Sequence, residues 1–303
     1  MEQRRERRSG YGGINLEVQR FGPPSDHLVL LLHGFMDAGG TWDLVARKLV
    51  AFGVHVIAPD QRGFGRSDRV GLRSAYHFPD YVADVDRLVA DTVAPGQRLS
   101  VVGHSMGGTV AALYAGTRPE RVHRLVLMEG VGPPAMAPPL GVLRMRRWLD
   151  QEAKDVAANG ESTMAPTRIT LDGEEDALAR LQFHHRRVPV EVLRTRIPHL
   201  AQRDPDTATW SWCYDPRHRR TSPTRFDVAT FCAFAAETRC PVRAVSGGPL
   251  GFHPDDEDER LAAFPGYVDR IEIPEAGHMM HWTQPAASAA AIGGFITDDH
   301  GAG

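Results

Sequence analysis

The chain has 303 residues, 42% of them hydrophobic and 24% charged, with a formal net charge of -3 and an isoelectric point near 6.5. These are the proportions of an ordinary soluble globular chain, with room for one large domain or a core carrying an insertion. They exclude a general electrostatic pull toward nucleic acid or an anionic membrane, so neither is expected as a partner.

From the N-terminus, Met1 to Arg8 is charged and has none of the apolar stretch of a signal peptide, so residues 1–10 are expected to form a flexible, solvated tail. Leu28 to Leu32, Val54 to Ala58, Leu99 to Val102 and Leu125 to Met128 are short continuous apolar runs, as expected of strands buried on both faces of a parallel sheet. Helical patterns separate them at Trp42 to Leu49, Tyr81 to Val93 and Thr109 to Ala115. Alternating strands and helices imply a doubly wound, mostly parallel α/β sheet over residues 11–133. The alternation then breaks. Residues 134–225 open with prolines and continue as helical segments, Leu140 to Asn159, Glu174 to His185 and Val190 to Leu200, without clear strands. Such an insertion is expected to lie as a cap over the C-terminal edge of the sheet, where ligands sit in open α/β folds. Residues 226–303 return to the core with a helix from Phe226 to Glu237, strands at Val242 to Val245 and Ile271 to Ile273, and a last helix from Pro285 to Ile296. The acidic run Asp255 to Glu259 reads as a solvated helix start.

The cysteines, Cys213, Cys232 and Cys240, are few, odd in number and without metal-ligand spacing, so neither a disulfide framework nor a metal is expected. No apolar run approaches the roughly 18 residues of a membrane helix. A cytoplasmic location is expected.

Chemistry concentrates in Leu99-Ser-Val-Val-Gly-His-Ser-Met-Gly-Gly108, a strand running through Gly103-x-Ser105-x-Gly107 into small helix-forming residues. A serine on so sharp a strand-to-helix turn presents its hydroxyl above the sheet, and the Met106 amide at the helix N-terminus can donate to an oxyanion. His33-Gly34-Phe35 follows the first long strand, where the Phe35 amide can supply a second donor. His33 itself is expected to hold that loop. The base for Ser105 must come from elsewhere, and His278 follows the strand Ile271 to Ile273 through a loop ending in Gly277. His281 is expected to be packing or surface, and His104 to point away from the nucleophile.

Together His33-Gly34-Phe35, Asp60-Gln-Arg-Gly-Phe-Gly-Arg-Ser67, Gly103-His-Ser-Met-Gly107 and Gly277-His278 occur in the order found in the α/β-hydrolase fold serine hydrolases, which this chain resembles over nearly its whole length. The resemblance implies an α/β-hydrolase fold with an inserted helical cap and no cofactor. Asp60 and Arg62 then read as fold-stabilising partners. One position departs from the commonest pattern. The acid that usually follows the strand Val242 to Val245 is missing, and Leu250 stands in its place. Some members of this superfamily carry the acid after the preceding strand, and here Leu125-Val-Leu-Met-Glu129 resembles them, making Glu129 the first candidate and Asp255 or Asp256 the alternatives.

The implied activity is cleavage of carboxylic esters of small to medium, largely apolar substrates through an acyl-enzyme. A carbon–carbon bond hydrolase or a cofactor-free perhydrolase would use the same triad. A ligand-binding protein that kept the fold without turnover is the alternative of a different class. Dehalogenase and epoxide hydrolase relatives use aspartate where Ser105 stands. Trp148, Met164, Phe183, Trp210, Trp212 and Tyr214 are candidates for the wall of a pocket holding a small-molecule substrate. The sequence leaves the oligomeric state open.

Overall fold

The computed structural model describes residues 3–71, 75–159 and 168–298. In chain order the strands are β1 (Gln3–Ser9), β2 (Asn15–Phe21), β3 (His27–Leu32), β4 (His55–Pro59), β5 (Arg98–His104) and β6 (Arg124–Met128). They continue with β7 (Thr170–Leu171), β8 (Ala201–Arg203), β9 (Trp210–Trp212), β10 (Val242–Ser246) and β11 (Val268–Glu272). The helices begin with α1 (Asp43–Leu49), α2 (Phe78–Thr92), α3 (Met106–Thr117), α4 (Pro138–Asn159) and α5 (Glu174–His184). They end with α6 (Val190–Leu200), α7 (Val228–Ala236), α8 (Glu257–Ala262), α9 (Met280–Thr283) and α10 (Pro285–Ile296).

Eight strands form one sheet in the order β1-β2-β4-β3-β5-β6-β10-β11, parallel from β4 through β11. This is the α/β-hydrolase fold. The central strands are buried on both faces because alternate residues serve two helical layers. Leu28, Leu30 and Leu32 pack with α2 and α3, while Val29 and Leu31 pack with α1 and α10. The apolar runs are continuous for that reason.

The sheet order also fixes where ligands can bind. From β3 the chain crosses to β4 on one side, then returns to β5 on the other, which leaves a crevice beyond the C-terminal ends of β3 and β5. The strands β3, β5, β6, β10 and β11 are consecutive neighbours. Loops carrying Phe35, Ser105, Glu129, Gly247 and His278 therefore emerge side by side.

The N-terminal residues correct the expected tail. Gln3–Ser9 is strand β1, paired antiparallel with β2 in register Gln3↔Phe21 to Ser9↔Asn15. Its charges concealed it, yet they suit an edge strand, where charged side chains discourage pairing with other chains. Glu6 pairs with Arg8 at 2.7 Å and with Arg20 across the strands, Arg8 also reaches Asp91 at 3.0 Å, and Arg7 pairs with Asp68. Strand β2 was not legible as an apolar run because it alternates, burying Leu16 and Val18.

The segment between Pro133 and Arg225 holds α4, α5 and α6, and with them a small antiparallel sheet in the order β7-β9-β8. Strands of two and three residues are too short to leave a periodicity in the sequence.

Candidate active site

Ser105 sits between β5 and α3 with φ 52° and ψ -120°, a strained conformation for a residue with a side chain. The elbow stays tight because the neighbouring chain is in contact with it. A Cβ on Gly107 would collide with the backbone oxygens of Leu32 and His33, so the end of β3 lies directly against the turn. That contact brings the Phe35 loop beside Ser105. Neither the Phe35 amide nor the Met106 amide, the first of α3, donates to a described residue, so both are available to an oxyanion. His33 is fully buried and braces this loop. One ring nitrogen meets the Gly34 carbonyl at 2.7 Å and the other accepts from the Gln61 amide at 2.9 Å.

Glu129 directly follows β6 with φ 48°, at the C-terminal edge of the sheet. Its carboxylate is 1% exposed and receives three donors. His278 Nδ1 donates to Oε2 at 2.7 Å, the Phe252 amide donates to Oε2 at 2.7 Å, and the Gly247 amide donates to Oε1 at 2.6 Å. Burial pushes its pKa up, and the hydrogen bonds from His278, Gly247 and Phe252 outweigh that and hold it below the usual glutamate value. A carboxylate on Nδ1 leaves the Nε2 lone pair of His278 free to accept a proton. No hydrogen bond joins Ser105 Oγ to the ring among the described residues. Such contacts commonly tighten only when substrate is present.

The loop with Leu250 in place of an acid has become a cradle for Glu129. It supplies the Gly247 and Phe252 amides, and a Cβ at Gly251 would collide with Glu129 Oε1. The loop is tied to the His278 loop by the Gly277 amide, which donates to the Gly247 carbonyl at 2.9 Å. The alternative acids lie elsewhere. Asp255 is exposed, and Asp256 is paired with the buried Arg260 at 2.7 Å. His253 stands 3.9 Å from Glu129 Oε1, and its ring nitrogens meet Glu257 at 2.7 Å and the Gly248 carbonyl at 3.0 Å.

His104 does more than point away. It is buried, and its Nε2 donates to the His278 carbonyl at 2.7 Å, tying the residue before Ser105 to the His278 loop. Of the two places expected for His281, packing or surface, it takes the first: it is fully buried and bonds Asp37 at 3.0 Å. Burial holds both rings well below the usual histidine pKa, hence neutral. Asp37, His104 and His281 are the one group among the described residues that could hold a metal ion, with ligand atoms within 4.8 Å of one another. His104 Nε2 and the Asp37–His281 pair are already engaged in these internal hydrogen bonds.

A cavity of ≈ 920 Å³ opens beside Ser105 and is walled largely by apolar and aromatic groups, among them Phe35, Tyr81, Met106, Trp148, Phe226 and Phe231. Of the cap residues expected in the wall, Trp148 lines it. Trp210 faces a separate cleft, Trp212 and Tyr214 pack inside the molecule, and Phe183 is 65% exposed on α5. The reason lies in the small sheet, whose central strand Trp210–Trp212 buries Trp212 and leaves Trp210 half-buried beside another cleft. Met164 lies outside the described residues. The residues missed by sequence reasoning, Phe226 and Phe231, belong to the start of the returning core. Their aromatic spacing toward α7 was the available signal, and it is equally the pattern of a packed helix.

A family profile described as alpha/beta hydrolase fold matches residues 27–285. AB hydrolase superfamily protein YfhM of Bacillus subtilis is 36% identical over 117 residues, 39% of this chain and 40% of that protein. Epoxide hydrolase A of Mycobacterium tuberculosis is 33% identical over 142 residues, 46% of this chain and 44% of that one. Lipase LipV of the same organism is 38% identical over 140 residues, 45% and 48% of the two chains. The matched stretches span less than half the length of each of these curated relatives. A hypothetical protein from Pseudomonas aeruginosa PAO1 has a similar structure, with a TM-score of 0.80, 25% identity, and coverage of 96% of this chain and 99% of that one.

Proposed function

The chain belongs to the alpha/beta hydrolase family, and we propose that it is a serine hydrolase that cleaves carboxylic esters of largely apolar, small to medium-sized acids or alcohols. Ser105 Oγ attacks the ester carbonyl while His278 Nε2 takes its proton. The oxyanion rests on the amides of Phe35 and Met106, an arrangement in which losing one donor typically costs about 10²–10³ in rate. The tetrahedral intermediate collapses as His278 returns the proton to the departing alcohol oxygen, leaving an acyl group on Ser105. Water then adds to the acyl carbonyl as His278 takes one of its protons, and the acid is released with the Ser105 hydroxyl restored. Glu129 holds the imidazole in the tautomer with its proton on Nδ1 and stabilises the cation formed in each half-reaction.

The observation that carries this reading is the buried Glu129 carboxylate on His278 Nδ1 at 2.7 Å, with two backbone amides completing its shell. A protein that only binds ligands has no need of such a costly buried charge beside a free imidazole nitrogen. The apolar cavity beside Ser105 supports an apolar substrate. Epoxide opening that needs a carboxylate nucleophile at the elbow is disfavoured, because Ser105 stands there. The test is turnover of p-nitrophenyl esters of graded chain length by the native protein and by Ser105→Ala. Hydrolysis that vanishes with Ser105→Ala supports the reading. Equal rates in the two proteins, or none in the native one, overturn it.

A further inference from the structure

The cavity beside Ser105 is apolar along most of its wall, yet five arginines are among its lining residues: Arg118, Arg144, Arg217, Arg220 and Arg225. Four have carboxylate partners. Arg118 pairs with Asp86 at 3.0 Å, Arg217 with Asp215, Arg220 with Glu152 and Arg225 with Asp227, each of the last three at 2.7 Å. Arg144 differs. Its Nε donates to the Ser222 carbonyl at 2.9 Å, and it has no carboxylate partner among the described residues.

That single bond matters geometrically. A guanidinium is planar and rigid, so fixing Nε on a backbone carbonyl sets the direction of the two terminal nitrogens. Among the described residues these two nitrogens have no hydrogen-bond partner, and they form a fork of the shape that takes a carboxylate through two parallel hydrogen bonds. Arg144 is half-buried on α4, one turn before Trp148, and both side chains line the cavity. The loop with Ser222 and Arg225 lies close to the same helix, where a Cβ placed on Gly141 would come into ordinary contact with the Arg225 side chain. In this partly apolar setting an unpaired cation gains more from an anion than it would at an open surface.

We infer that Arg144 is the anion-recognising residue of the cavity, and that the preferred substrates are esters carrying a carboxylate at the end remote from the scissile bond. This rests on the ester-hydrolase reading above. The apolar wall takes the chain between the two ends, Ser105 meets the ester, and Arg144 meets the free acid. A volume of ≈ 920 Å³ is ample for such a molecule.

The test compares matched pairs on both sides of the ester: p-nitrophenyl octanoate against its ω-carboxy counterpart, and hexyl acetate against 6-acetoxyhexanoate. The native protein is expected to favour the carboxylate member of at least one pair by about tenfold or more in kcat/KM, the range of a charge-assisted hydrogen bond. Arg144→Met should remove that preference, read as the ratio of kcat/KM within each pair and lost through KM, with Arg144→Lys retaining part of it. The same preference should appear in calorimetric binding of suberate against octanoate to Ser105→Ala. Binding needs no turnover, so the binding arm keeps the two claims apart. Absence of hydrolysis with Arg144-dependent binding of suberate overturns the ester-hydrolase reading alone. No carboxylate preference in turnover or binding, or one that survives Arg144→Met, overturns the role of Arg144.

Discussion

A carboxylate as deeply buried as Glu129 stays ionised because three donors face it, and two of them are backbone amides of one loop. This makes the site sensitive at positions with no chemistry of their own. Gly251→Ala would drive a Cβ into Glu129 Oε1 and is expected to lower kcat by about a hundredfold or more. A far-ultraviolet dichroism spectrum unchanged from native would show that the loss lies in the site rather than in the fold. Glu129→Gln keeps the size but cannot hold the Nδ1–H tautomer as an anion does. By analogy with the serine proteases, turnover should fall by about 10⁴. Because the folded pKa of Glu129 is depressed, its contribution to stability is present above the ordinary glutamate pKa and is lost as pH falls through the folded value. Glu129→Gln should therefore lose less stability than native on acidification, a difference that thermal melts across about pH 3 to 6, a span that includes the ordinary carboxylate range, would register. Residues of this kind differ in how they can be read. Ser105 and His278 lie in local motifs, and Leu250 in place of an acid directs attention to Glu129. The amides of Gly247 and Phe252 leave no trace in the sequence, since every residue has one.

At the scale of elements, apolar runs revealed the buried strands because both faces of β3, β5 and β6 are covered. The same criterion failed for β1, whose stability comes from register and cross-strand charge rather than burial. Removing residues 1–9 would strip the partner from β2 and lose several cross-strand pairs worth about 0.2–1 kcal/mol each. A fall in Tm of a few degrees is expected, with faster aggregation from the uncovered edge. An unchanged Tm would mean that β1 contributes nothing. Asp60 tests the turn after β4. Its carboxylate accepts from the amides of Gly39 and Arg66 at 2.8 Å, and burial raises its pKa to about 6. A folded pKa above the unfolded one means that the native state holds the proton longer. Its contribution is complete at low pH and declines as pH rises from about 4 to about 6. Asp60→Asn should remove this decline from the melting curve while lowering stability by about 1–3 kcal/mol, because one amide loses its acceptor. The segment 134–225 was legible only as helices, and the short strand Trp210–Trp212 buries Trp212 and turns Trp210 to a separate cleft, although composition alone would assign both to the pocket.

For the whole molecule, topology does what no single motif can. Consecutive placement of β3, β5, β6, β10 and β11 brings residues as distant in sequence as Phe35 and His278 to one sheet edge. The crossing of the chain between β3 and β5 opens the crevice, and Arg144 and Trp148 of α4 are among the residues that line the cavity beside Ser105. The family is legible from four motifs in order, whereas substrate preference depends on which cap and core side chains meet in space, and that is set by packing. The central claim is that this edge forms an acyl-transfer site in which Ser105 is the nucleophile and Glu129 its supporting acid. Its most direct test is labelling with a fluorophosphonate followed by peptide mass mapping. One adduct on the peptide containing Ser105 is expected, formed rapidly by the native protein, far more slowly by Glu129→Gln, and not at all by Ser105→Ala. Labelling at another residue, or an equal rate in the native protein and in a folded Glu129→Gln variant, would contradict the account.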